Sequence, residues 1–369
     1  MANDILFEPV TMGAHTLKNR IIMAPLTRLR AVEPGDVPTI LAAEYYSQRA
    51  GAGLVITEAT QVSFDAKGYA GAPGLHTDDQ VTAWKVVTDA VHAKGGKIVV
   101  QLWHTGLVSH KSVRPNSETP ISASDVEVGV RTTLRDSDGG AIRVDATPPR
   151  PATIQEIHQV VADFAHATKC AREAGFDGVE IHGAHGYLLH QFWTPHTNNR
   201  DDKYGGSKEN RARFMLEVID ACVDAWDADH VGIRISPLGT FNEVEDRNSE
   251  AESVWLIEQI NKHGLMYLHL SEPDWAGGEP YSDEFRQQIR DAFDNLIIAA
   301  GGYTAEKAVK NVEAGYIDAA AFGRDYIANP DLAERLREDA PLNEPRSELF
   351  YGGGVEGYTD YPTLKKVAS

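Results

Sequence analysis

The sequence predicts a single (β/α)8 barrel. Eight short apolar runs alternate along the chain with longer amphipathic segments, which indicates parallel βαβ units in one sheet. Eight is the number of strands that closes such a barrel. A doubly wound open sheet is the alternative, and it is weakened because no GxGxxG follows the first strand. No linker divides the 369 residues, so we expect one domain over residues 1–369.

Each predicted strand is followed by a predicted helix. Helix 77–94 ends at the glycine pair 95–96, which suits a glycine C-cap. Helix 153–174 starts with Thr153 and has Glu156 three residues later, the pattern of a capping box. The predicted strands are residues 21–25, 53–59, 97–104, 178–182, 231–236, 267–271, 296–300 and 319–323. The predicted helices are residues 39–49, 77–94, 153–174, 208–226, 250–263, 283–291, 305–314 and 331–338, with one short helix before the last.

Residues 105–150, after the third strand, interrupt this alternation. The stretch is rich in Ser, Thr, Pro and Gly, with Val, Arg and Thr alternating at 126–135 and 141–145 around the turn 138–140. This pattern is typical of a β-hairpin carried on a loop. The insertion is too short and too rich in turns for a separate core, and we expect it to shape a pocket mouth together with the C-terminal tail. Between the fourth strand and helix 208–226 we expect a short irregular segment.

Composition and charge restrict the class of protein. Hydrophobic residues make up 42% of the chain and charged residues 24%, which are ordinary values for a soluble globular protein. The net charge of −19 argues against nucleic acid or an anionic membrane as partner, because both need a basic footprint. An anionic cofactor would therefore need a local arginine or a helix N-terminus to hold it.

The cysteines and the N-terminus bear on location. Cys170 and Cys222 lie in helix-like stretches and form no CxxC motif, so buried free thiols are expected and iron–sulfur or cysteine–zinc sites are not supported. The N-terminus has no basic region followed by a long apolar run, and no apolar run is long enough to span a membrane. We therefore expect a cytoplasmic protein without a signal peptide.

Protic side chains gather where the predicted strands end. Val179 to Ile181 form an apolar strand that runs into His182, His185 and Tyr187, separated by small residues, whereas core histidines would have bulky apolar neighbours. In a (β/α)8 barrel the active site lies at the carboxyl ends of the strands. The residues near those ends are Pro25, Thr27, Glu58, Ala59, Thr60, Gln101, Trp103, His104, His182, His185, Tyr187, Arg234, Ser236, Ser271, Glu272, Gly301, Gly302, Gly323 and Arg324.

Structural explanations exist for each of these residues alone. Thr27 could cap a helix, Gln101 could bond the backbone, and Arg234 could pair with an acidic residue. Arg234 is nevertheless flanked by apolar residues on its strand, and a guanidinium there is costly unless it meets an anion or several acceptors. Their joint occurrence at one end of the barrel favours a functional site.

The glycine turns after strands seven and eight suggest a phosphate site. GGYT at 301–304 and FGRDY at 322–326 each place glycine at a strand end before a helical turn, with Arg324 beside the second. Backbone N–H groups there can cradle a phosphate, as barrels often do at this position. Tight turns without a ligand are the alternative. A phosphate at this point and an arginine at strand five suggest a phosphorylated cofactor across the barrel mouth.

These residues match motifs of a known family. The motifs are APLTR (24–28), QLWH (101–104), HGAHGYLLHQF (182–192), NNRDDKYGGS (198–207), GIRISP (232–237), GG (301–302) and FGR (322–324). The chain resembles the Old Yellow Enzyme family of FMN-dependent ene-reductases over nearly its whole length. It is most similar to the bacterial N-ethylmaleimide and nitrate-ester reductases, such as pentaerythritol tetranitrate reductases, and to the plant oxophytodienoate reductases. These branches have a His–His pair where other members have His–Asn.

The resemblance implies a non-covalently bound FMN and NADPH or NADH as hydride donor. The implied flavin-binding residues are Pro25, Thr27, Ala59, Gln101, Arg234, Gly302, Gly323 and Arg324. Thr27 would bond the flavin carbonyl near the redox-active edge, and Ala59 would give backbone contacts. Gln101 and Arg234 would bind the pyrimidine end, where the arginine would stabilise the charge of the reduced flavin. The last three residues of the set would hold the phosphate.

The resemblance also implies the reaction. His182 and His185 would donate hydrogen bonds to the activating carbonyl or nitro oxygen of the substrate, and Tyr187 would protonate the carbon α to that group. The C=C bond of enones, maleimides and nitroalkenes would be reduced by ping-pong hydride transfer, and nitrate esters are a further expected substrate class. The implied aromatic lining of the substrate side is Tyr69, Trp103, Trp275 and Tyr351. His190 is expected to be structural.

Three other functions fit the sequence less well. A metal-dependent hydrolase with His182 and His185 as ligands lacks an obvious carboxylate to complete the site, and we expect no metal. A flavin carrier without catalysis is disfavoured by the intact histidines and Tyr187. A dienoyl-CoA reductase would need cluster-binding cysteines and an extra flavin domain. The expected partner is a small electrophilic alkene or nitro compound, and the expected state is a monomer or weak homodimer.

Overall fold

Eight parallel strands close into a barrel. The structure, a computed structural model, describes residues 4–364. The strands, β1 to β8 in chain order, are Ile21–Met23, Leu54–Gln61, Ile98–Trp103, Val179–His182, Val231–Ile235, Tyr267–Ser271, Leu296–Ala300 and Ala319–Phe322. Each pairs in parallel with its neighbours, and β8 pairs with β1 through Ala320 beside Ile21 and Phe322 beside Met23. The predicted (β/α)8 barrel is confirmed, and the open sheet is excluded.

Every residue of the eight strands is buried. A parallel strand covered by helices on the outside and by packed side chains on the inside has no solvent face. This burial explains why the strands are continuous apolar runs in the sequence. The polar residues that interrupt them, such as Glu180 and Arg234, are therefore held by specific partners.

Helices follow the strands around the barrel. The ring helices, α1 to α8, are Ile40–Gln48, Asp78–His92, Ile154–Glu173, Lys208–Ala225, Glu250–Asn261, Asp283–Ala292, Ala305–Glu313 and Leu332–Glu338. The predicted capping box of α3 is present, because Thr153 Oγ1 accepts from the Glu156 N–H at 3.2 Å and the Glu156 carboxylate accepts from the Thr153 N–H at 2.8 Å. The short helix predicted before the last one is Arg324–Ala328. Cys170 and Cys222 are free and buried, as predicted.

Several element predictions need correction. The segment after β4 is not wholly irregular, because Leu188–Trp193 forms a helix whose residues are all buried. The hairpin of the insertion starts at Arg131 and not at 126; it consists of Arg131–Arg135 and Ala141–Asp145. β2 extends to Gln61, and its pairing with β3 shifts register between Ile56 and Ala59. Its last residues lie at the carboxyl end of the barrel.

A hairpin absent from the sequence prediction covers the other end of the barrel. Its strands, Val10–Met12 and His15–Leu17, bury apolar side chains in one cluster with residues of β1, β2 and β3. The turn residue Gly13 has φ of 48°, and a Cβ there would lie 2.2 Å from the carbonyl oxygen of Asp229. Asp229 precedes β5, so the hairpin closes the face opposite the carboxyl ends of the strands.

Two further pairs of short strands lie in the loops of the barrel. Ile121–Ser122 pairs with Arg150–Pro151 at the borders of the insertion, and Thr240–Phe241 pairs with Val244–Glu245 after β5. None of the helices in residues 4–364 combines the length and the apolar character that crossing a membrane requires.

Candidate active site

A cavity of about 660 Å³ opens at the carboxyl ends of the strands. This is the face on which the sequence predicts a site, and the size is typical of a small-molecule pocket. All residues that the family resemblance assigns to the flavin and the substrate, except Trp103, line the cavity. They are Pro25, Thr27, Ala59, Tyr69, Gln101, His182, His185, Tyr187, Arg234, Trp275, Gly302, Gly323, Arg324 and Tyr351.

Trp103 lies behind the cavity wall and not in it. Its ring stacks on Tyr69, with centroids 5.3 Å apart, and meets the edge of Tyr187 at 4.9 Å. It is 1% exposed. Tyr69, from the loop after β2, lies over Trp103, and contact of Trp103 with the substrate stays a prediction. The indole supports the two tyrosines that face the cavity.

The two predicted histidines lie side by side. Their ring centroids are 5.5 Å apart, and the Tyr187 ring lies 4.9 Å from that of His182. The turn between the histidines is tight, and His185 itself has φ of 59°. Small residues are needed here, because a Cβ at Gly183 would lie 3.0 Å from the Arg234 carbonyl oxygen. The N–H of His185 donates to Ser236 Oγ at 3.0 Å, which holds the turn on β5.

Both histidines are neutral at physiological pH. Burial lowers the pKa of His182 and of His185 well below the usual value, and the positive charge of Arg234 lowers each pKa further. Nδ1 of His182 accepts from the Ala184 N–H at 3.3 Å, so the ring hydrogen of the neutral form sits on Nε2. The His185 ring contacts Ser271 Oγ through Nε2 at 2.8 Å. The pair thus supplies neutral hydrogen-bonding groups to the cavity.

Tyr187 is a protonated phenol beside these histidines. Burial raises its pKa well above 10, and the neighbouring Tyr69 hydroxyl, 3.2 Å away, raises that pKa further. The residue is 7% exposed and lines the same cavity as the histidines. A buried phenol of this kind is a weak acid that stays protonated until a strong base forms next to it.

Arg234 brings a buried positive charge to the cavity floor. It is 7% exposed, Nη2 lies 3.5 Å from Ser271 Oγ, and Nε has no hydrogen-bond partner among the described residues. Burial lowers the pKa of Arg234 to about 10, against the opposing effect of Glu180, so the group remains charged. A charged donor left without an acceptor in a cavity wall fits an anionic or strongly polar ligand.

Glu180 organises the polar groups beneath the cavity. Its carboxylate accepts hydrogen bonds from Gln101 Nε2 at 2.7 Å and from the Tyr267 hydroxyl at 3.1 Å, and His269 Nδ1 lies 2.7 Å away. Burial alone would raise the pKa of Glu180, but His269 and Arg234 outweigh it and lower the pKa. Because a carboxylate only accepts, Gln101 turns its amide nitrogen to Glu180 and keeps its carbonyl oxygen for another donor.

The two glycine turns differ in whether the backbone N–H already has a partner. The N–H of Gly302, which the sequence predicts to be free for a phosphate, donates to Asp274 Oδ1 at 2.9 Å. Asp274 is also bound by Lys307 Nζ at 2.7 Å. The second turn keeps the predicted character, because Gly323 and the exposed Arg324 line the cavity at the start of the short helix Arg324–Ala328.

The insertion and the C-terminal tail shape the mouth, as expected. Thr133 and Arg143 come from the hairpin strands, and Phe350 comes from the tail. Arg28 fixes the tail, since Nε donates to the Phe350 carbonyl at 3.0 Å and Nη2 to the Gly357 carbonyl at 2.7 Å. The tail therefore belongs to the pocket although it lies more than 320 positions from Arg28 in the chain.

Some cavity residues are not predicted by the sequence. Phe241 and Asn242 come from the small hairpin after β5, and the amide nitrogen of Asn242 donates to the His185 carbonyl at 2.9 Å. Asn242 has φ of 54°. Asparagine tolerates such turn conformations, so this residue type is the sequence signal for a turn here. Glu58, noted at a strand end, does not line the cavity; its carboxylate accepts from the Arg28 N–H at 2.9 Å.

This arrangement has a definite chemical capacity. One part of the cavity has two neutral imidazoles and a phenol, which can donate hydrogen bonds to an electron-rich oxygen and deliver a proton. The floor has a charged guanidinium with an unused donor and an amide carbonyl oriented by Glu180. The rim adds Arg324 beside a glycine turn. These groups fit a flavin mononucleotide, whose ring has both donors and acceptors and whose phosphate is anionic.

Comparison with known proteins agrees. The chain matches the NADH:flavin oxidoreductase / NADH oxidase family over residues 5–343. It is 47% identical over 363 residues to putative 12-oxophytodienoate reductase 11 of Oryza sativa subsp. japonica, with 97% of each chain covered. It is 43% identical over 367 residues to 12-oxophytodienoate reductase 2 of Arabidopsis thaliana, with 98% of this chain and 96% of the relative covered.

Solved structures show the same likeness. Morphinone reductase superposes with a TM-score of 0.95 at 45% identity, covering 99% of this chain and 97% of its own. The old yellow enzyme homologue from Zymomonas mobilis superposes with a TM-score of 0.90 at 37% identity, covering 97% and 99%. The family resemblance seen in the motifs is confirmed. The chain therefore belongs to the Old Yellow Enzyme family, within the NADH:flavin oxidoreductases, and is an FMN-dependent oxidoreductase of the ene-reductase type.

Proposed function

We propose that this enzyme reduces the C=C bond of α,β-unsaturated carbonyl and nitro compounds, including enones, maleimides and nitroalkenes, with NADPH or NADH as electron source. Nitrate esters form a further substrate class. The observation that carries the proposal is the pair of neutral imidazoles, His182 and His185, 5.5 Å apart beside the protonated phenol of Tyr187. These groups match the two needs of the reaction, which are charge stabilisation on oxygen and a proton for carbon.

The FMN site would use the floor and the rim of the cavity. Arg234 and Gln101 would bind the pyrimidine end of the ring, with Arg234 Nε as a donor that has no partner among the described residues. Thr27, Pro25 and the backbone of Ala59 would contact the rest of the ring. When bound, FMN supplies the hydride chemistry, while the protein supplies position and electrostatics.

The phosphate end of FMN would lie at the second glycine turn. Gly323 and Arg324 line the cavity there, and Arg324 is exposed, so its charge is available to an anion. The Gly302 N–H, which bonds to Asp274, would change partner to bind a phosphate. We therefore assign the larger part of phosphate binding to Gly323 and Arg324.

The substrate oxygen would lie against the two histidines. Addition of hydride to the β-carbon of an enone places negative charge on that oxygen. Donors fixed in advance at the oxygen stabilise the charge as it develops, by roughly 10²–10³ in rate for one donor. Because both imidazoles are neutral, the substrate oxygen gains hydrogen bonds without a proton being transferred to it.

Tyr187 would deliver the proton to the α-carbon. Its phenol is protonated at neutral pH because burial raises its pKa, and a positioned general acid of this type contributes about 10²–10⁴ in rate. The aromatic rings of Tyr69, Trp275 and Tyr351 would cover the rest of the substrate. Trp103 would support Tyr69 and Tyr187.

The relatives support a nicotinamide donor and a reductase activity. The curated relatives are named 12-oxophytodienoate reductases, and morphinone reductase has been solved in complex with tetrahydroNAD. The choice between the two nicotinamides is best made by direct comparison of the two donors in steady-state assays.

The test of the function is spectroscopic. The purified protein is expected to be yellow, to lose its colour anaerobically with NADPH or NADH, and to regain it when 2-cyclohexenone is added. A colourless protein that FMN cannot reconstitute would contradict the proposal. A yellow protein that either nicotinamide bleaches but no enone, maleimide or nitroalkene recolours would contradict the substrate class and leave the cofactor assignment standing.

A further inference from the structure

The side chain of Asp274 lies against the first glycine turn of the cavity, Gly301–Gly302. Its Oδ1 accepts a hydrogen bond from the Gly302 N–H at 2.9 Å. The contact is close, because a Cβ at Gly301 would lie 2.4 Å from Oδ1 and a Cβ at Gly302 would lie 3.0 Å from Oδ2. The two glycines therefore form a recess in the backbone that already holds an anionic group.

A cation completes the surroundings of this carboxylate. Lys307 Nζ lies 2.7 Å from Asp274 Oδ2 and also donates to Glu272 Oε2 at 3.1 Å. Burial alone would raise the pKa of Asp274, but Lys307 and the Gly302 N–H outweigh it and lower the pKa. Asp274 is thus an anion at neutral pH. Two oxygens that accept from a glycine N–H and from a lysine are also what a phosphate group would offer to this turn.

The recess lies next to the turn assigned to the cofactor phosphate. β7 and β8 pair in parallel, with Ala300 opposite Ala321. Gly302 and Gly323 each follow these residues by two positions, and neighbouring strands are about 4.8 Å apart. Both glycines line the cavity. A phosphate at the second turn is therefore a close neighbour of the Gly302 N–H, and it meets the negative charge of Asp274 there.

We propose that Asp274 is an internal competitor of the cofactor phosphate. It holds the first glycine turn in the protein without flavin, and it lowers the preference of the protein for FMN over riboflavin. The inference rests on the proposed function, which puts the phosphate at these turns. FMN gains the Gly302 N–H only after the bond to Asp274 is broken. Riboflavin has no phosphate, so it does not enter this competition.

The test is a flavin exchange on the holoenzyme. Protein loaded with FMN is incubated with a known excess of riboflavin until the ratio of the two bound flavins is constant. Gel filtration removes the free flavins, and chromatography after denaturation measures the FMN and riboflavin that were bound. The bound and free concentrations together give the preference for FMN over riboflavin. This measurement is one of binding and uses no substrate.

Asp274→Asn keeps the size of the side chain and an oxygen for the Gly302 N–H, and it removes the charge. We expect the preference for FMN to rise about 10-fold, the order of one hydrogen bond to a charged group at a partly exposed position. Asp274→Ala also removes the acceptor and should raise the preference at least as much. Any loosening of the segment around Trp275 lowers the affinity for both flavins together, so their ratio still reports on the phosphate.

Asp283→Asn is the control. Asp283 is an exposed residue of α6 that pairs with Arg286 at 3.4 Å and lies outside the glycine turn. Its replacement removes the same charge from the chain, and the preference for FMN should stay unchanged.

An unchanged or lower preference in both Asp274 variants would overturn the inference, as would an equal rise in Asp283→Asn. If the unaltered protein binds FMN no better than riboflavin, the phosphate site of the proposed function is itself wrong. The two failures can therefore be told apart.

Discussion

The residues of the cavity owe their chemistry to their surroundings. Burial and Arg234 lower the pKa of both histidines, whereas burial raises the pKa of Tyr187. All three groups are thereby held in their uncharged forms at neutral pH. Because the lowered histidine pKa values lie below the usual value near 6.5, the imidazoles stay neutral at every pH above it. The enone reaction should show no loss of rate from histidine protonation between about pH 6.5 and 8.

Removal of both histidines should abolish substrate activation and spare the cofactor. We expect His182→Ala combined with His185→Ala to lose enone reduction and the binding of phenols, which present a similar oxygen to the pair. FMN should stay bound, because Arg234, Gln101 and the Arg324 turn are unchanged. Absorbance titration with a phenol and the flavin content after gel filtration measure the two effects.

His158→Ala is a suitable control for that variant, because His158 is exposed on α3, away from the cavity. If the double variant lost its flavin while the control kept it, the histidines would have been assigned to the wrong ligand.

The positive charge of Arg234 should stabilise the reduced, anionic form of the flavin. Arg234→Met keeps much of the length of the side chain and removes a buried cation that faces the cavity. We expect the reduced, anionic form of the flavin to lose stabilisation by roughly 1.5–3 kcal/mol, the range for a hydrogen bond to a charged group. Potentiometric titration should show a more negative midpoint potential. A potential equal to that of the unaltered enzyme would show that Arg234 does not contact the charged part of the ring.

At the scale of elements, the barrel and the loops differ in how well the sequence predicts them. The eight strands were predictable because strands buried on both faces are apolar runs, and the strand-end rule then placed His182, Tyr187 and Arg234 in one cavity. The stacking of Tyr69 on Trp103 and the bond from the Gly302 N–H to Asp274 were not predicted, because both depend on how the loops pack against each other. The first hairpin, with strands of three residues, is too short to show a period of two.

The capping box of α3 should contribute to the stability of the folded protein. Thr153 bonds the N–H of Glu156, and the Glu156 carboxylate, also held by Arg150, bonds the N–H of Thr153. Thr153→Ala removes one of these bonds and should lower the free energy of unfolding by about 1 kcal/mol. Urea denaturation followed by circular dichroism measures it. Thr119→Ala, at an exposed loop position, is the control and should have no effect.

At the scale of the whole molecule, the two ends of the barrel have separate roles. The carboxyl end holds the cavity, whereas the amino end is closed by a hairpin and carries an ionic cluster around the buried Asp177. In that cluster Asp177 accepts from Lys97 Nζ at 2.7 Å and from the Ile98 N–H at 2.8 Å, with His92 Nε2 at 2.8 Å. Burial alone would raise the pKa of Asp177, but these partners outweigh it and the pKa is lowered.

Asp177→Asn should therefore reduce stability and not chemistry. We expect a loss on the order of 1–3 kcal/mol in the free energy of unfolding at pH 7, because the Ile98 N–H, Lys97 and His92 lose a charged partner. The folded-state pKa lies below the unfolded value of about 3.9, so the contribution is complete above that value and is lost as the pH falls through the folded pKa. Urea denaturation at pH 7 and near pH 2 should show the difference between the two proteins shrinking in acid.

Asp125→Asn, at an exposed position in the insertion, is the control for Asp177→Asn and should change neither quantity. Enone reduction at pH 7 and 25 °C should be the same in all three proteins. A selective loss of activity in Asp177→Asn would show that the two ends of the barrel are coupled.

The closure of β8 on β1, with the tail held by Arg28, has a consequence for biosynthesis. The barrel cannot close until Phe322 has left the ribosome, and the cavity cannot be completed until Phe350 has left it. At 5–20 residues per second, synthesis of about 350 residues takes roughly 20–70 s. During that interval the apolar strands made first have no closing partner, and such exposed strands are prone to aggregation. The nascent chain should therefore depend on chaperones that shield it until the last strand arrives.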